Sequence, residues 1–511
     1  MKKGGNAVDA AVTMAHVLGV AAPAFSGIGG GGFALIWLAK EEKAIFVDFR
    51  ERAPLAANEN LFKVTSSGRV AREENAIGYK AIAVPGAISG HASILEEHGT
   101  LKFGETLDEA ARIAKRGFRV DRALAYVWKH GYKKLRRFHE SNLTYLRKNR
   151  PYREGDNVSI PTLSRTLTAI RQKGNEEFYT GALGRTIVNH IAANKGLITN
   201  RDLENFKPTT RNAIEGSYKD YEIISAPPPS AGGAIVLQTL NILENFHLDG
   251  YGAGSSVALH ILAEALGRSS LSCRTTISDP DFTDVNLEAL VSKAVAKAQA
   301  STISMNHSSI PAEAKMLEGT PASNTTHLVA IDAEHNVVSL TESLECYFGS
   351  GVTVPGTGIL LNDTMHDFEP QPRLPNSVAP RKIPMSSMSP TIVLKGGKPI
   401  LALGSAGGPR IVSSTLQTLL NVVEFGMPLE DAVAAPRIHL EGTKILTEPT
   451  FKGAVISELR RMGHSVQVRK RMGRYDPGLY FGGVHAAQIS DDGTLSGASD
   501  PRRDGLAVGL S

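Results

Sequence analysis

At 511 residues the chain is too long for one simple core, and its 42% hydrophobic and 21% charged residues are those of an ordinary globular protein. A formal net charge of +5 is weak at this length and argues against a nucleic-acid binder. Two cysteines (Cys273, Cys346), no CxxC or HExxH motif and no run of eighteen apolar residues argue against a disulfide scaffold, a zincin-type metal site and a membrane-spanning helix.

In chain order, the alanine-rich stretch Asn6 to Val20 reads as a buried helix stopped by Pro23. A glycine run, Gly27 to Gly32, leads into an apolar strand Phe33 to Leu38, and a second strand Ala44 to Phe49 ends at Arg50. From Leu107 to about Thr320 the pattern reads as mostly helical, broken by an irregular passage from Ala226 to Gly233. Within it Lys129 to Arg150 is the densest basic patch, which reads as a solvated helical face. Beyond Asn324 the character turns to strands. Leu328–Ile331 and Val337–Leu340 flank a polar turn, Thr391–Leu394 and Ile400–Leu403 flank Lys395-Gly396-Gly397-Lys398, and Ala486–Ile489 starts a third hairpin. A helix-rich first part and a strand-rich last part predict sheets covered by helices, an α+β fold.

Several motifs carry chemical possibilities. Gly27 to Gly32 contains a GxGxxG match, but a dinucleotide fingerprint follows a strand and opens a helix, and here that order is reversed. No GxSxG or Walker A sequence occurs. Asn324-Thr325-Thr326-His327 reads as a loop entering a strand and matches a glycosylation sequon. It also fits a different chemistry. A threonine hydroxyl needs a base beside it, and a cut just before Thr325 would make its own α-amine that base, with a pKa near 8. Gly404 to Gly408 follows the second hairpin and suits either a strand-ending turn or an oxyanion hole. Ser386-Ser387 offers hydroxyls, and Arg50 a bidentate fork, for a carboxylate.

Taken together, these motifs resemble the γ-glutamyltransferase family. The resemblance rests on Gly4 to Ala11, the glycine run ending in Phe33, Asp48 to Pro54, Val84-Pro85-Gly86, Phe178 to Gly181 and Leu197-Ile198-Thr199. It continues through Pro227 to Gly233, Thr325-Thr326-His327, Gly358 to Asn362, Ser386 to Pro390, Gly404 to Gly408 and Asp500 to Gly505. All occur in the family's order, with the weakest fit in Arg122 to Arg150 and Gly267 to Pro321. The resemblance implies a four-layer αββα sandwich of the N-terminal-nucleophile hydrolase type. It implies self-cleavage at Asn324–Thr325 into a large subunit 1–324 and a small catalytic subunit 325–511, whose strands interleave so that the products stay together. Thr325 would be the nucleophile and Ser343 its supporting hydroxyl, standing where most of the family has threonine, with Thr341 two residues earlier. Gly407 and Gly408 would form the oxyanion hole. Arg50, Ser386 and Ser387 would bind a donor's α-carboxylate. Glu345, Thr364 and Asp367 face its α-amine, with Thr364 a weakened contact where relatives have Gln or Glu. The implied activity is cleavage of the γ-glutamyl amide of glutathione and transfer to water, an amino acid or a peptide, without metal or organic cofactor.

The proline-rich stretch from Asp367 to Ser386 is shorter than a family lid, which predicts an open pocket. The family's first strand would precede Gly4, so an upstream start is expected. No signal peptide is visible in this chain, whereas relatives are often exported, and the location stays open. Two alternatives remain. One is a sister acylase acting on a glutaryl-type amide or on poly-γ-glutamate. The other is an uncut, inactive relative kept as a binding protein.

Overall fold

The structure, a computed structural model, describes residues 1–313, 323–469 and 478–510. The first helix spans Ala7–Ala21. The Asn6 side chain accepts the N–H groups of Val8 and Asp9, and the Asp9 carboxylate accepts the Asn6 N–H at 2.8 Å, a reciprocal cap that fixes the helix start. Its small apolar face, Val8, Ala11 and Val12, is buried with Ile36, Val338 and Leu340 of the strands beneath.

Sixteen strands are described: β1 (Gly31–Leu38), β2 (Lys43–Asp48), β3 (Phe118–Arg119), β4 (Asn157–Val158), β5 (Thr209–Arg211), β6 (Ile214–Tyr218), β7 (Tyr221–Ser225), β8 (Ser323–Ile331), β9 (Val337–Cys346), β10 (Thr391–Lys395), β11 (Lys398–Ala406), β12 (Ile438–Glu441), β13 (Lys444–Thr447), β14 (Ser465–Val468), β15 (Gly483–Ile489) and β16 (Leu495–Ser499). One sheet has the order β5-β2-β1-β9-β8, and another β16-β15-β11-β10-β7-β6. With helices beside them, they give the α+β class read from the sequence.

The chain divides into two compact units. The first comprises residues 1–40, 45–211 and 322–385, and the second 41–44, 212–321 and 386–511. Each unit draws on sequence from both sides of Asn324–Thr325. In the first, β1 pairs with β9, from Gly31 opposite Ser343 to Trp37 opposite Val337. In the second, β7 pairs with β10, from Ser225 opposite Thr391 to Tyr221 opposite Lys395.

The expected hairpins are present and longer than read. The turn between β10 and β11 uses Gly396 and Gly397 at φ 58° and 74°, the left-handed conformations that a tight hairpin demands. One expectation fails. The stretch around residues 209–225 lies in a region read as helical, yet it forms β5, β6 and β7. Period-2 burial is weak in β6, and the stretch is fixed by long-range pairing of β7 with β10, which no local pattern announces. The end of that helical reading, residues 314–322, lies outside the described residues.

Candidate active site

The first unit holds a hydroxyl cluster on the β8–β9 hairpin. Asn324 stands opposite Glu345, and Thr326 opposite Glu342, so two residues of β9, Ser343 and Leu344, face the single residue Thr325. Such a bulge re-aims side chains locally. The Ser343 hydroxyl donates to the carbonyl oxygen of Asn324 at 2.5 Å and accepts the N–H of Glu345 at 2.8 Å. The Thr325 hydroxyl lies 3.5 Å from the Ser343 oxygen, and the Thr325 N–H donates to the Asn324 side chain at 2.9 Å. Asn324 and Thr325 are both buried. The carbonyl oxygen of the peptide bond read as the cleavage point is thus hydrogen-bonded, and the Thr325 hydroxyl flanks that bond. Thr341, the other hydroxyl considered, lies 2.9 Å from His327 Nδ1 instead.

The glycine run explains how β9 is held. A Cβ on Gly30 would come 2.1 Å from the Ser343 carbonyl oxygen, and one on Gly32 2.3 Å from that of Thr341. Only glycine permits this backbone approach. The run thus serves packing behind Ser343, as its position before a strand suggests.

Beside the hairpin lies a charged group. Arg50 is 1% exposed, donates through Nε to the Pro384 carbonyl at 3.2 Å, and donates through Nη2 to Asp367. Its Nη1 is 4.0 Å from a Glu51 oxygen. Burial opposes the guanidinium charge, but Asp367, Glu51 and Glu345 outweigh it and raise the Arg50 pKa. Asp367 is pushed well above the usual carboxylate range, by burial first and by Glu345 next. Thr364 opens the short helix Thr364–Asp367, and its hydroxyl donates to Glu51 at 2.9 Å. Glu51 itself is pushed up to about 7 by burial, against the opposing pull of Arg50. Glu345 is buried and takes φ 79°, a strained backbone for a side chain with a Cβ. The structure thus brings together Arg50, Glu345, Thr364 and Asp367. It adds Glu51, which the sequence shows only as part of a motif, its one signal being its place beside Arg50 at the end of β2.

The remaining expected residues lie in the second unit. The Ser386 N–H donates to the Pro229 carbonyl, the Ser386 carbonyl accepts the N–H of Ala231, and the Ser386 hydroxyl accepts the N–H of Met388. Arg274 Nη2 donates to the Ser387 hydroxyl at 3.4 Å. Gly407 and Gly408, at φ 136° and 59°, form the turn between β11 and the helix Arg410–Val423. Their carbonyls accept from Arg410 and Ile411, and a Cβ on Gly407 would meet Gly482 Cα at 2.9 Å.

Among the described residues, two groups of ligating side chains are compact enough for a cation: His260, Glu264 and His464, and Glu345, Cys346 and His366. The first is a hydrogen-bond network. His260 Nδ1 lies 2.6 Å from His464 Nε2, and Glu264 accepts from Arg268 at 2.7 Å. In the second, burial and then Asp363 hold the Cys346 thiol protonated.

An internal threonine on a strand, with a neighbouring hydroxyl on the carbonyl before it, fits what a self-cleaving N-terminal-nucleophile hydrolase needs. The profile described as Gamma-glutamyltranspeptidase matches residues 1–510. The glutathione hydrolase proenzyme of Escherichia coli (strain K12) is 35% identical over 100% of this chain and 89% of its own length. The acylase ACY 1 proenzyme of Pseudomonas sp. (strain SE83) is 36% identical over 99% of this chain and 90% of its own length. Among solved structures, cephalosporin acylase from Bacillus halodurans matches with a TM-score of 0.88 at 27% identity, covering 100% of this chain and 92% of that one. The chain belongs to the γ-glutamyltranspeptidase family, and it is an enzyme of the N-terminal-nucleophile hydrolase class. No described helix is long and apolar enough to cross a membrane.

Proposed function

We propose that the chain is a precursor that cuts itself between Asn324 and Thr325 and then acts as a γ-glutamyltransferase and glutathione hydrolase. In the precursor the Thr325 hydroxyl attacks the Asn324 carbonyl carbon while Ser343 supports the developing charge on the oxygen. The C–N bond breaks, an ester forms, and water opens it. This leaves subunits 1–324 and 325–511, the second starting with a free Thr325 amine. In the processed enzyme that amine takes the hydroxyl proton, and Thr325 attacks the γ-amide of the donor. The Gly407 and Gly408 N–H groups receive the oxyanion, and the leaving amine departs with the proton. Water or an acceptor amine then attacks the γ-glutamyl ester and releases Thr325.

One observation carries the donor class: buried Arg50 ringed by Glu51, Glu345 and Asp367. A γ-glutamyl head group has a carboxylate for Arg50, Ser386 and Ser387, and an ammonium for Glu345 and Asp367. Thr364 contributes through Glu51, on which its hydroxyl is placed. A glutaryl donor lacks the ammonium and would leave Glu345 and Asp367 without that partner. The test combines intact-mass analysis and N-terminal sequencing with turnover of γ-glutamyl and glutaryl anilides. Two chains, the smaller beginning Thr325-Thr326-His327, with preference for the γ-glutamyl anilide, are expected. Turnover of the glutaryl compound alone would overturn the donor assignment, and a stable single chain would overturn the mechanism.

A further inference from the structure

Three ligating side chains of the first unit meet beside Arg50 and Asp367: Glu345 and Cys346 at the end of β9, and His366 in the short helix Thr364–Asp367. One ligand atom from each lies within 4.8 Å of the other two, and Cys346 Sγ is 4.0 Å from His366 Nδ1. Glu345 and Cys346 are buried, and His366 is half-buried. Neighbours along a strand normally point to opposite faces. The φ of 79° at Glu345 interrupts that alternation where its carboxylate and the Cys346 thiol come together.

The surroundings are short of positive charge. Among the described residues, four carboxyl groups, Glu51, Glu345, Asp363 and Asp367, stand against two permanent cations, Arg50 and Lys134. Arg50 pairs with Asp367 and lies 4.0 Å from Glu51, and Lys134 lies 3.5 Å from Asp363. Glu345 and Asp367 repel each other, which helps to raise the Asp367 pKa. A thiol, an imidazole and a carboxylate together suit zinc and similar soft divalent ions, whereas magnesium prefers oxygen ligands alone. Zinc binds thiolate sulfur at about 2.3 Å and imidazole nitrogen at about 2.0 Å, so one ion spans at most about 4.3 Å between them. A tetrahedral ion would draw Sγ and Nδ1 about 0.5 Å closer than they stand, a shift within the reach of side-chain torsions.

We propose that Glu345, Cys346 and His366 form an inhibitory site for a thiophilic divalent cation, zinc being the natural fit, which keeps the donor's ammonium from Glu345. On binding, the Cys346 S–H bond breaks, its proton passes to water and a sulfur–metal bond forms. His366 Nδ1 and a Glu345 oxygen complete three protein ligands, with water in the fourth position. The metal site stands on these three side chains alone. Its inhibitory effect rests on the γ-glutamyl reading, in which Glu345 receives the donor.

The test uses the purified chain stripped with EDTA. One equivalent of Co²⁺ is expected to give a near-ultraviolet thiolate-to-cobalt charge-transfer band that Zn²⁺ displaces and Mg²⁺ does not. Cys346→Ser should abolish the band, and His366→Ala should weaken Co²⁺ binding at least about hundredfold. No band in the wild type overturns the site, and so does a band that survives Cys346→Ser. A loss in His464→Gln as large as that in His366→Ala also overturns it, because the ion would then sit with His260 and Glu264. With a γ-glutamyl anilide as donor, Zn²⁺ should raise the KM, leave kcat unchanged and be reversed by EDTA. Both variants should reduce that rise at least about tenfold. A Zn²⁺ effect on kcat alone overturns the exclusion of the donor. If no γ-glutamyl donor reacts, the donor reading fails, and the cobalt band by itself decides the metal site.

Discussion

The two units offer the proposed chemistry different materials. The first offers the buried Arg50 guanidinium against the carboxyl groups of Asp367, Glu51 and Glu345, together with a hydroxyl pair on a bulged hairpin. The second uses neutral hydroxyls at Ser386 and Ser387 and a positive-φ glycine turn at Gly407 and Gly408. Buried charges hold only where partners compensate them, so the first share is sensitive to pH and to loss of any one member. Backbone N–H groups do not titrate, so the second is sensitive to shape instead.

The sharpest way to break this comparison is at the nucleophile. Thr325→Ala is expected to leave one full-length chain by mass spectrometry and to lower turnover by on the order of 10⁴-fold or more. A processed chain in that variant would remove Thr325 from the mechanism. Next in size is Ser343→Ala, which removes the donor on the Asn324 carbonyl. Self-cleavage followed on a gel should slow by about 10²–10³-fold, the usual loss for one such donor, whereas Ser343→Thr should stay close to wild type. Equal rates in all three proteins would mean that the 2.5 Å hydrogen bond plays no part in cleavage.

Arg50→Ala should cut itself normally but bind a γ-glutamyl donor weakly. It strands buried carboxyl groups, a loss of about 3–5 kcal/mol that donor KM and thermal melting both read. Glu51 gives the pH test. Its pKa rises from 4.5 to about 7 in the folded chain, so the folded state keeps a proton that the unfolded state releases between those values. The associated stability is full below about pH 4.5 and is lost as the pH rises through about 7, roughly 3 kcal/mol in all. Melting temperatures of wild type and Glu51→Gln at pH 5 and pH 7.5 should show the larger drop in wild type. Parallel drops would mean that Glu51 does not hold that proton. The smallest effect belongs to the second unit's hairpin turn, where Gly397→Ala forces a Cβ onto φ 74°, costs about 1 kcal/mol in melting and leaves donor KM unchanged.

What the sequence discloses follows the same division. Local signals are readable: the Gly396-Gly397 turn and the first helix both rest on interactions within a few residues. The strands β5 to β7 escape a local reading because pairing of β7 with β10 crosses more than 160 positions of sequence, from Ser225 to Thr391. The role of Glu51 is hidden for a related reason, since its partner Thr364 is 313 residues away. Ser343 is legible through resemblance, but its position on the Asn324 carbonyl depends on a bulge that no periodicity encodes.

The weaving of β1 with β9 and of β7 with β10 across Asn324–Thr325 has a consequence for the protein's life history. On the proposed mechanism the hydroxyl that primes cleavage sits on β9 and the bond it primes on β8, so the cut would require the hairpin to have formed and registered correctly. Scission at that bond would then report completed folding. In a cell extract, the fraction of chain still in one piece would count the molecules that never reached the native state.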